Sequence, residues 1–255
     1  NIPEANPTAI LTFAGAMFIV VGRYVYKVTA TTETADKDFG SGVLATHATV
    51  FNNELVVGLG GSTTKIWKRD TAGTWTQAVD AVYCQYFSVA GDGKLVANRS
   101  TAKISRIGAT DNPLTLANWS AEVPVGDNSV PITGLGALGE QDAVAKEDGL
   151  YLGDVSAIFK NVLPQVAANR DADNGKSMLI RGGEIFYPWK NGLICYISGW
   201  SDEVGIQQQL TSAVASDSIV PTTRITALAS QSQYIWAVTE PSWKPYGTPT
   251  GFKKT

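Results

Sequence analysis

Histidine and cysteine are the side chains from which most nucleophilic or metal sites are built, and this chain has few of them. It contains one histidine, His47, and two cysteines, Cys84 and Cys195. A Ser-His-Asp triad or a zinc site needs several such groups close together, whereas His47 stands alone in the strand-like run ATHATVF. We therefore expect a packed or hydrogen-bonded histidine. Two buried free thiols are favoured over a disulfide.

Carboxylates offer the remaining route to catalysis, because a glycoside hydrolase needs only two of them. Most Asp residues here fall in turn-like segments, where the side chain usually accepts hydrogen bonds from the local backbone. The arginines that would bind an acidic substrate are scattered along the chain. No phosphate loop or dinucleotide fingerprint is present. We predict no catalytic residue and no enzyme activity, and a glycoside hydrolase is the least favoured alternative.

An oxygen-rich segment, NRDADNGK, raises the question of calcium. Asn169, Asp171 and Asp173 alternate as the ligands of a calcium loop do. The glycine comes one residue later than in an EF-hand loop, and no glutamate follows at the twelfth position. We favour a solvated loop, predict no metal or other cofactor, and leave calcium binding at 169–173 open.

Aromatic side chains are the remaining candidates for contact with a ligand or partner. The segment RDTAGTWT resembles a degenerate Asp-box hairpin, with Asp70, Thr74 and Trp75 in the usual spacing and Gly73 one place late. In that motif the Asp accepts turn amides and the Trp packs beneath the hairpin. The candidate contact residues are Trp75, Trp119, Trp200, Trp243 and Tyr246.

Composition narrows the class of protein that must position these residues. The 255-residue chain is 44% hydrophobic and 17% charged, with 25 glycines and a net charge of −3. This is typical of a folded, turn-rich protein rather than a disordered one. Without a basic run, nucleic-acid binding has little support. No apolar stretch approaches the roughly 20 residues of a membrane span, and the absence of a visible leader favours a processed chain or a piece of a longer one.

A short apolar strand recurs along the whole chain. Copies begin at Phe18, Leu55, Leu95, Ala143, Ile185 and Ile235, which places them 37 to 50 residues apart. A strand of small and β-branched residues and a Gly- or Asn-containing turn precede most copies, and further strands follow. Four strands per repeat at this period predict an all-β fold, a β-propeller. A pair of β-sandwiches is the alternative, although it would not explain the repeat.

We predict about six four-stranded blades in a single domain over residues 8–255, after an N-terminal extension of residues 1–7. The last blade is expected to be incomplete in this chain, because Pro241, Pro245 and Pro249 interrupt it. The predicted blades cover residues 8–41, 42–81, 82–128, 129–173, 174–221 and 222–255.

The stretch from Asn112 to Tyr151 carries a family resemblance. Its Asn-Pro, Trp119, Gly-Asp turn and strands ITGLGALG and AVAKEDGLY resemble blade junctions in propeller-type virion proteins of tailed bacteriophages. The resemblance covers about forty residues. It implies a non-catalytic part of a phage tail, such as a nozzle, tail tip or host-adsorption protein, located in the virion.

The same resemblance implies partners for the chain. These are other virion proteins and copies of itself in a symmetric ring, with a host surface glycan as a further candidate. A lectin-like propeller that binds carbohydrate is the main alternative function. It predicts aromatic side chains at equivalent loop positions in several blades, for which Trp75, Trp119 and Trp200 come nearest.

Overall fold

The chain is an all-β protein, a β-propeller, and the computed structural model describes most of it. The described residues are 7–60, 63–153, 158–164, 170–176, 178–189, 192–197, 207–210, 225–231 and 234–239. They fall into two compact units, divided between Gly175 and Lys176. The predicted fold class is confirmed, whereas the single domain over 8–255 stays a prediction.

The first unit contains four sheets, each of four antiparallel strands that follow one another in the chain. The first two blades consist of β1 Pro7–Phe13, β2 Ala16–Val21, β3 Tyr24–Val28, β4 Glu33–Asp38, β5 Ala45–Phe51, β6 Glu54–Leu59, β7 Trp67–Arg69 and β8 Trp75–Gln77. The next two consist of β9 Phe87–Val89, β10 Leu95–Ser100, β11 Lys103–Ile107, β12 Val123–Pro124, β13 Ile132–Leu138, β14 Gln141–Lys146, β15 Gly149–Gly153 and β16 Lys160–Asn161.

The second unit contains a fifth four-stranded blade and a two-stranded sheet. The blade is formed by β17 Leu179–Arg181, β18 Glu184–Trp189, β19 Gly192–Ile197 and β20 Gln207–Leu210. The last sheet pairs β21 Ile225–Gln231 with β22 Tyr234–Thr239. The described chain thus has five four-stranded blades. The two strands of the last sheet lie where the prediction of about six blades places an incomplete sixth blade.

Tight hairpins join the first and second strands of several blades. The loops Ala14-Gly15, Asn52-Asn53 and Gly182-Gly183 each have two residues with positive φ. Type I′ turns require that backbone and match the twist of the flanking strands. Asn and Gly adopt it readily, whereas Ala14, at φ 47°, does so at a cost.

A threonine marks the start of the innermost strand in three blades of the first unit. Thr8, Thr46 and Thr133 each interrupt the register with the second strand. Their hydroxyls donate to backbone carbonyls 37 to 41 residues further on, which belong to the start of the next repeat. The bulge therefore turns a side chain out of its own sheet and ties it to the next one.

Apolar faces of adjacent blades in the first unit pack on one another. Phe18 and Val20 of β2 share a cluster with Leu55 and Val57 of β6, and the same arrangement recurs between the second and third and between the third and fourth blades. Each of these four residues is at most 1% exposed. The middle strands read as apolar runs because both of their faces are covered.

Among the described residues no helix is long and apolar enough to cross a membrane.

Candidate functional site

The hairpin between β7 and β8 has the geometry expected of an Asp-box. The Asp70 carboxylate accepts the backbone N–H of Thr74 at 2.8 Å, and its main chain closes the turn with Gly73 and Thr74. The hydrogen bond from the Thr74 amide holds the pKa of Asp70 below its usual value. Asp70 is therefore occupied by its own turn, and the hairpin positions Trp75 at the start of β8.

Trp75 belongs to a contact between the first two blades. Its indole Nε1 donates to Asp36 Oδ2 at 2.8 Å, and its ring meets the edge of Phe39 at a centroid distance of 5.8 Å. The same Asp36 carboxylate receives Arg69 in a two-pronged ion pair, at 2.7 Å from Nε and 3.2 Å from Nη2. Arg69 is 5% exposed and its guanidinium lies 5.0 Å from the Phe18 ring centroid.

A second buried ion pair joins the third and fourth blades. Arg106 on β11 approaches Asp142 on β14, with its Nη2 2.8 Å from Oδ2. The side chains are 10% and 1% exposed. A charge this deep is tolerated only when an opposite charge or good hydrogen bonds face it, so each of the two side chains depends on the other.

Trp119 lies in the core shared by the second and third blades. It is 7% exposed, and its Nε1 donates to the Pro113 carbonyl at 3.0 Å. Trp75 and Trp119 therefore sit at two different blade contacts, with most of their surface covered by this chain. Trp200, Trp243 and Tyr246 lie outside the described residues.

His47 hydrogen-bonds across the contact between the second and third blades. Its Nδ1 accepts the backbone N–H of Phe87 at 3.3 Å, and the Tyr86 ring lies 6.2 Å away. Burial lowers the pKa of His47 to about 4, so the imidazole is neutral at pH 7. The expectation of a packed, hydrogen-bonded histidine is confirmed. Cys84 is a free, buried thiol, and burial raises its pKa.

Asp171, in the segment considered for calcium, makes hydrogen bonds to its own turn and to the fourth blade. Asp171 Oδ1 accepts the backbone N–H of Asp173 at 2.9 Å, and the Asp171 amide donates to the Glu147 carbonyl at 3.2 Å. Asn169 lies outside the described residues. Within the part of the chain that the structure describes, no three His, Cys, Asp or Glu side chains are grouped to hold a metal ion.

Three buried polar residues of the fourth blade were not singled out from the sequence. Lys146, fully buried, donates to the carbonyls of Val125 and Asp127, and burial lowers its pKa. Tyr151 donates to Asp148 at 3.1 Å, and burial raises the pKa of Tyr151 to about 12. Gly126, with φ of 59°, leaves no room for a Cβ, which would lie 2.6 Å from the Tyr151 ring. Because Lys146 bonds the carbonyls of Val125 and Asp127, on either side of Gly126, it holds the Gly126-Asp127 turn in place.

A pocket of about 220 Å³ lies at one end of the third blade. The segment that leads into β9 forms one wall, and the end of β10 with its hairpin forms the other. No sequence motif marks this pocket, because the two segments contribute ordinary residues that only strand pairing brings together. Its lining consists of Tyr83, Cys84, Gln85, Asn98, Arg99, Ser100 and Thr101.

Comparison with known proteins gives a fold and no family. No family model and no curated protein matches the sequence. Virginiamycin B lyase from Staphylococcus aureus matches in structure with a TM-score of 0.57 at 13% identity, over 72% of this chain and 63% of the lyase. The extracellular domain of a hybrid two-component system from B. thetaiotaomicron matches with a TM-score of 0.57 at 13% identity, over 94% of this chain and 37% of that one.

A third similar structure is YCF48 bound to D1 peptide, with a TM-score of 0.57 at 11% identity, over 93% of this chain and 75% of that chain. Identities this low show the propeller fold alone. One of these proteins is a lyase and another is solved with a peptide, so the fold by itself does not select a function. The function has to be argued from the residues of this chain.

Proposed function

We propose that this chain is a non-catalytic structural component of a bacteriophage virion, part of a tail nozzle, tail tip or host-adsorption apparatus. The observation that carries the proposal is that the buried ion pairs join neighbouring blades. Arg69 with Asp36, and Arg106 with Asp142, each bind a side chain of the neighbouring blade. Charges that fasten one element to the next support a rigid building part rather than a reaction centre.

The stretch that resembles phage virion proteins supports the same role. In it Trp119 is buried in a blade contact and Lys146 holds the Gly-Asp turn that leads from the third blade into the fourth. Its distinctive residues therefore serve the junction between two blades. A motif whose residues build a junction is expected to recur in proteins that share the architecture, and its resemblance to phage virion proteins supports a place in a phage tail.

Partners follow from the shape of such a part. A tail ring needs a heterologous interface, in which one surface of a subunit meets a different surface of the next copy. Loops at the ends of the blades are the surfaces that vary most freely on a fixed scaffold. We propose copies of this chain and other virion proteins as its partners, and the virion as its location.

Labelling of purified particles tests the location. Antibodies raised against the folded chain are applied to phage particles for gold-labelled electron microscopy, with proteomics of the same preparation. We expect label at the tail and the chain among the particle proteins. Label on the cell instead of the particle, together with absence of the chain from the particle proteome, would contradict the proposal.

A further inference from the structure

The contact between the second and third blades differs from the contacts on either side of it. Arg69 with Asp36 joins the first and second blades, and Arg106 with Asp142 joins the third and fourth. The described residues of the second and third blades form no ion pair with one another. Hydrogen bonds and apolar packing hold this contact instead, so its stability depends on those bonds.

Two of these hydrogen bonds lie side by side, where β5 meets the segment of residues 84–87 that leads into β9. The Thr46 hydroxyl donates to the Gln85 carbonyl at 2.7 Å. The Phe87 backbone N–H donates to His47 Nδ1 at 3.3 Å. The imidazole thus accepts a hydrogen bond from the main chain of the next blade, beside the point at which the threonine binds it.

Close packing leaves little free space around this hydrogen bond. Gly58 is paired with His47 in the register of β5 and β6. A Cβ on Gly58 would lie 2.8 Å from the Cys84 carbonyl oxygen and 2.9 Å from the Phe87 ring. Cys84 and Phe87 are each 2% exposed and belong to the buried cluster that the two blades share. We therefore expect a movement of Phe87 away from His47 to uncover Cys84 as well.

The hydrogen bond to His47 exists in one protonation state only. A neutral imidazole has one ring nitrogen that accepts a hydrogen bond, whereas both nitrogens of an imidazolium carry hydrogens and donate. Protonation of Nδ1 therefore removes the acceptor of the Phe87 N–H and sets two donors against each other. A buried donor that loses its acceptor destabilises the contact that contains it.

The strands around His47 bring no counter-charge to an imidazolium. β5 carries no other titratable side chain, and β1 of the first blade, which packs on β5, carries none. On β6 the histidine is paired with Gly58, and Glu54 of that strand is ion-paired with Lys68 at 2.8 Å. The second blade therefore does not compensate a charge on His47.

The facing segment does not compensate it either. Burial raises the pKa of the Cys84 thiol and raises the pKa of Tyr86 to about 12, so both groups stay neutral. Asp173 acts on Tyr86 through its charge. Burial lowers the pKa of His47 to about 4, and no charged group of the described residues raises it. The closed contact therefore favours the neutral imidazole.

We propose that the contact between the second and third blades is an acid-sensitive joint. Protonation of His47 releases the Phe87 amide, residues 84–87 separate from β5 and β6, and Cys84 becomes accessible. The ion-paired contacts on either side stay closed. Because the open contact binds a proton that the closed contact excludes, acid shifts the population towards the open form. The joint does not depend on the virion role and would act in the same way in a propeller of another function.

Labelling of Cys84 in the full chain at pH 7, 6 and 5 tests the proposal. The probe is dithiodipyridine, which reacts with thiols in mild acid, and peptide mass spectrometry counts Cys84 separately from Cys195. Each rate is divided by the rate of a free cysteine peptide at the same pH. The pKa of His47 is about 4 in the closed contact and about 6.5 in the open one, so the corrected rate should rise about 20-fold from pH 7 to pH 5.

Two variants separate His47 from the other titratable group that bonds across this contact. H47Q keeps an acceptor for the Phe87 amide but takes up no proton in this range, so its corrected rate should change less than about twofold. D80N is the matched control, because Asp80 Oδ2 accepts the Leu116 N–H across the same contact at 2.9 Å, and it should respond to pH as the parent does. A parent rate that does not change with pH, a full response in H47Q, or loss of the response in D80N would overturn the proposal.

Hydrogen exchange of the parent distinguishes local opening from general unfolding and needs no variant. The Phe87 amide reports on the joint. The Ala45 amide, bonded to the Gly22 carbonyl, reports on the contact before it, and the Gly91 amide, bonded to the Gly139 carbonyl, on the contact after it. After correction for the intrinsic exchange rate at each pH, protection should fall at Phe87 and persist at Ala45 and Gly91. A parallel fall at all three amides would overturn the joint, because it would show a general loss of stability.

Discussion

At the scale of single residues, several buried charged and titratable side chains of the first unit connect neighbouring blades. Asp36 accepts from both Arg69 and Trp75, and His47 accepts from the backbone of the next blade. Each of these contacts desolvates a polar group, so each side chain depends on its partner. The sequence predicted that His47 is packed, because no other histidine and no nearby cysteine could join it in a site, and that Asp70 accepts turn amides, because that inference needs only local residues.

Replacement of Asp36 by asparagine should be strongly destabilising. D36N leaves the buried Arg69 guanidinium without its counter-charge, which we expect to lower the free energy of unfolding by about 3–5 kcal/mol. The matched control is D38N on the same strand, because Asp38 pairs with Arg23 in an exposed position at 3.0 Å. D38N should cost about 0–1 kcal/mol. Denaturant unfolding of both variants checks this, and equal losses would refute the role of Asp36.

His47 should make stability fall in mild acid. Its pKa in the folded chain is about 4 and about 6.5 when unfolded, so the unfolded state takes up the proton first. The stabilisation is complete above pH 6.5 and is lost as the pH falls towards 4, by about 2 kcal/mol between pH 7 and pH 5.

The variant H47Q isolates that effect, because the chain has one histidine and glutamine retains an acceptor for the Phe87 amide. Urea unfolding at pH 7, 6 and 5 should show a smaller loss of stability in H47Q than in the parent. Parallel pH profiles for the two proteins would show that His47 is not desolvated in the folded state.

At the scale of elements, hairpins and bulges determine how each blade is built. The sequence predicted a Gly- or Asn-containing turn before most copies of the apolar strand, and the positive φ values of Asn52-Asn53 and Gly182-Gly183 confirm two of these turns. It did not reveal that a threonine at the start of the innermost strand bonds the next repeat. A signal for this was present, since Thr8, Thr46, Thr133 and Thr226 occupy the same place in their repeats and each falls at a register shift.

The hairpin between β1 and β2 is predicted to become more stable when Ala14 is replaced. A14N places asparagine at φ 47°, where it is much better tolerated than alanine, and creates an Asn-Gly turn. We expect a gain of about 0.5–1 kcal/mol in unfolding free energy. The reciprocal change N52A, at φ 49°, should lose a similar amount. A loss in A14N or no effect in N52A would show that the turn backbone is not the determinant.

The threonine contact can be tested on β5. T46V removes the hydroxyl that donates to the Gln85 carbonyl at 2.7 Å and should cost about 1–2 kcal/mol, because a partly buried acceptor loses its donor. T49V on the same strand is the control and should change stability by about 0.5 kcal/mol or less. Thermal or urea unfolding measures both, and equal effects would assign the loss to the strand rather than to the contact between repeats.

At the scale of the whole molecule, the repeat predicted the fold because each blade has the same sequence pattern of small, apolar and polar strands. The residues of the ion pairs follow no such pattern. Arg69 and Asp36 are 33 residues apart and Arg106 and Asp142 are 36 apart, and which side chains face each other depends on how one sheet stacks on the next. The pocket at Arg99 was missed for the same reason, since a loop and a hairpin form it jointly.

The most direct test of the central claim, that this propeller is a building part of a virion and not an enzyme, is the mass and copy number of the native particle that contains it. Native mass spectrometry or cryo-electron microscopy of that particle provides both. We predict several symmetry-related copies in a ring, joined to other virion proteins. A free monomer that converts a substrate and belongs to no particle would contradict it.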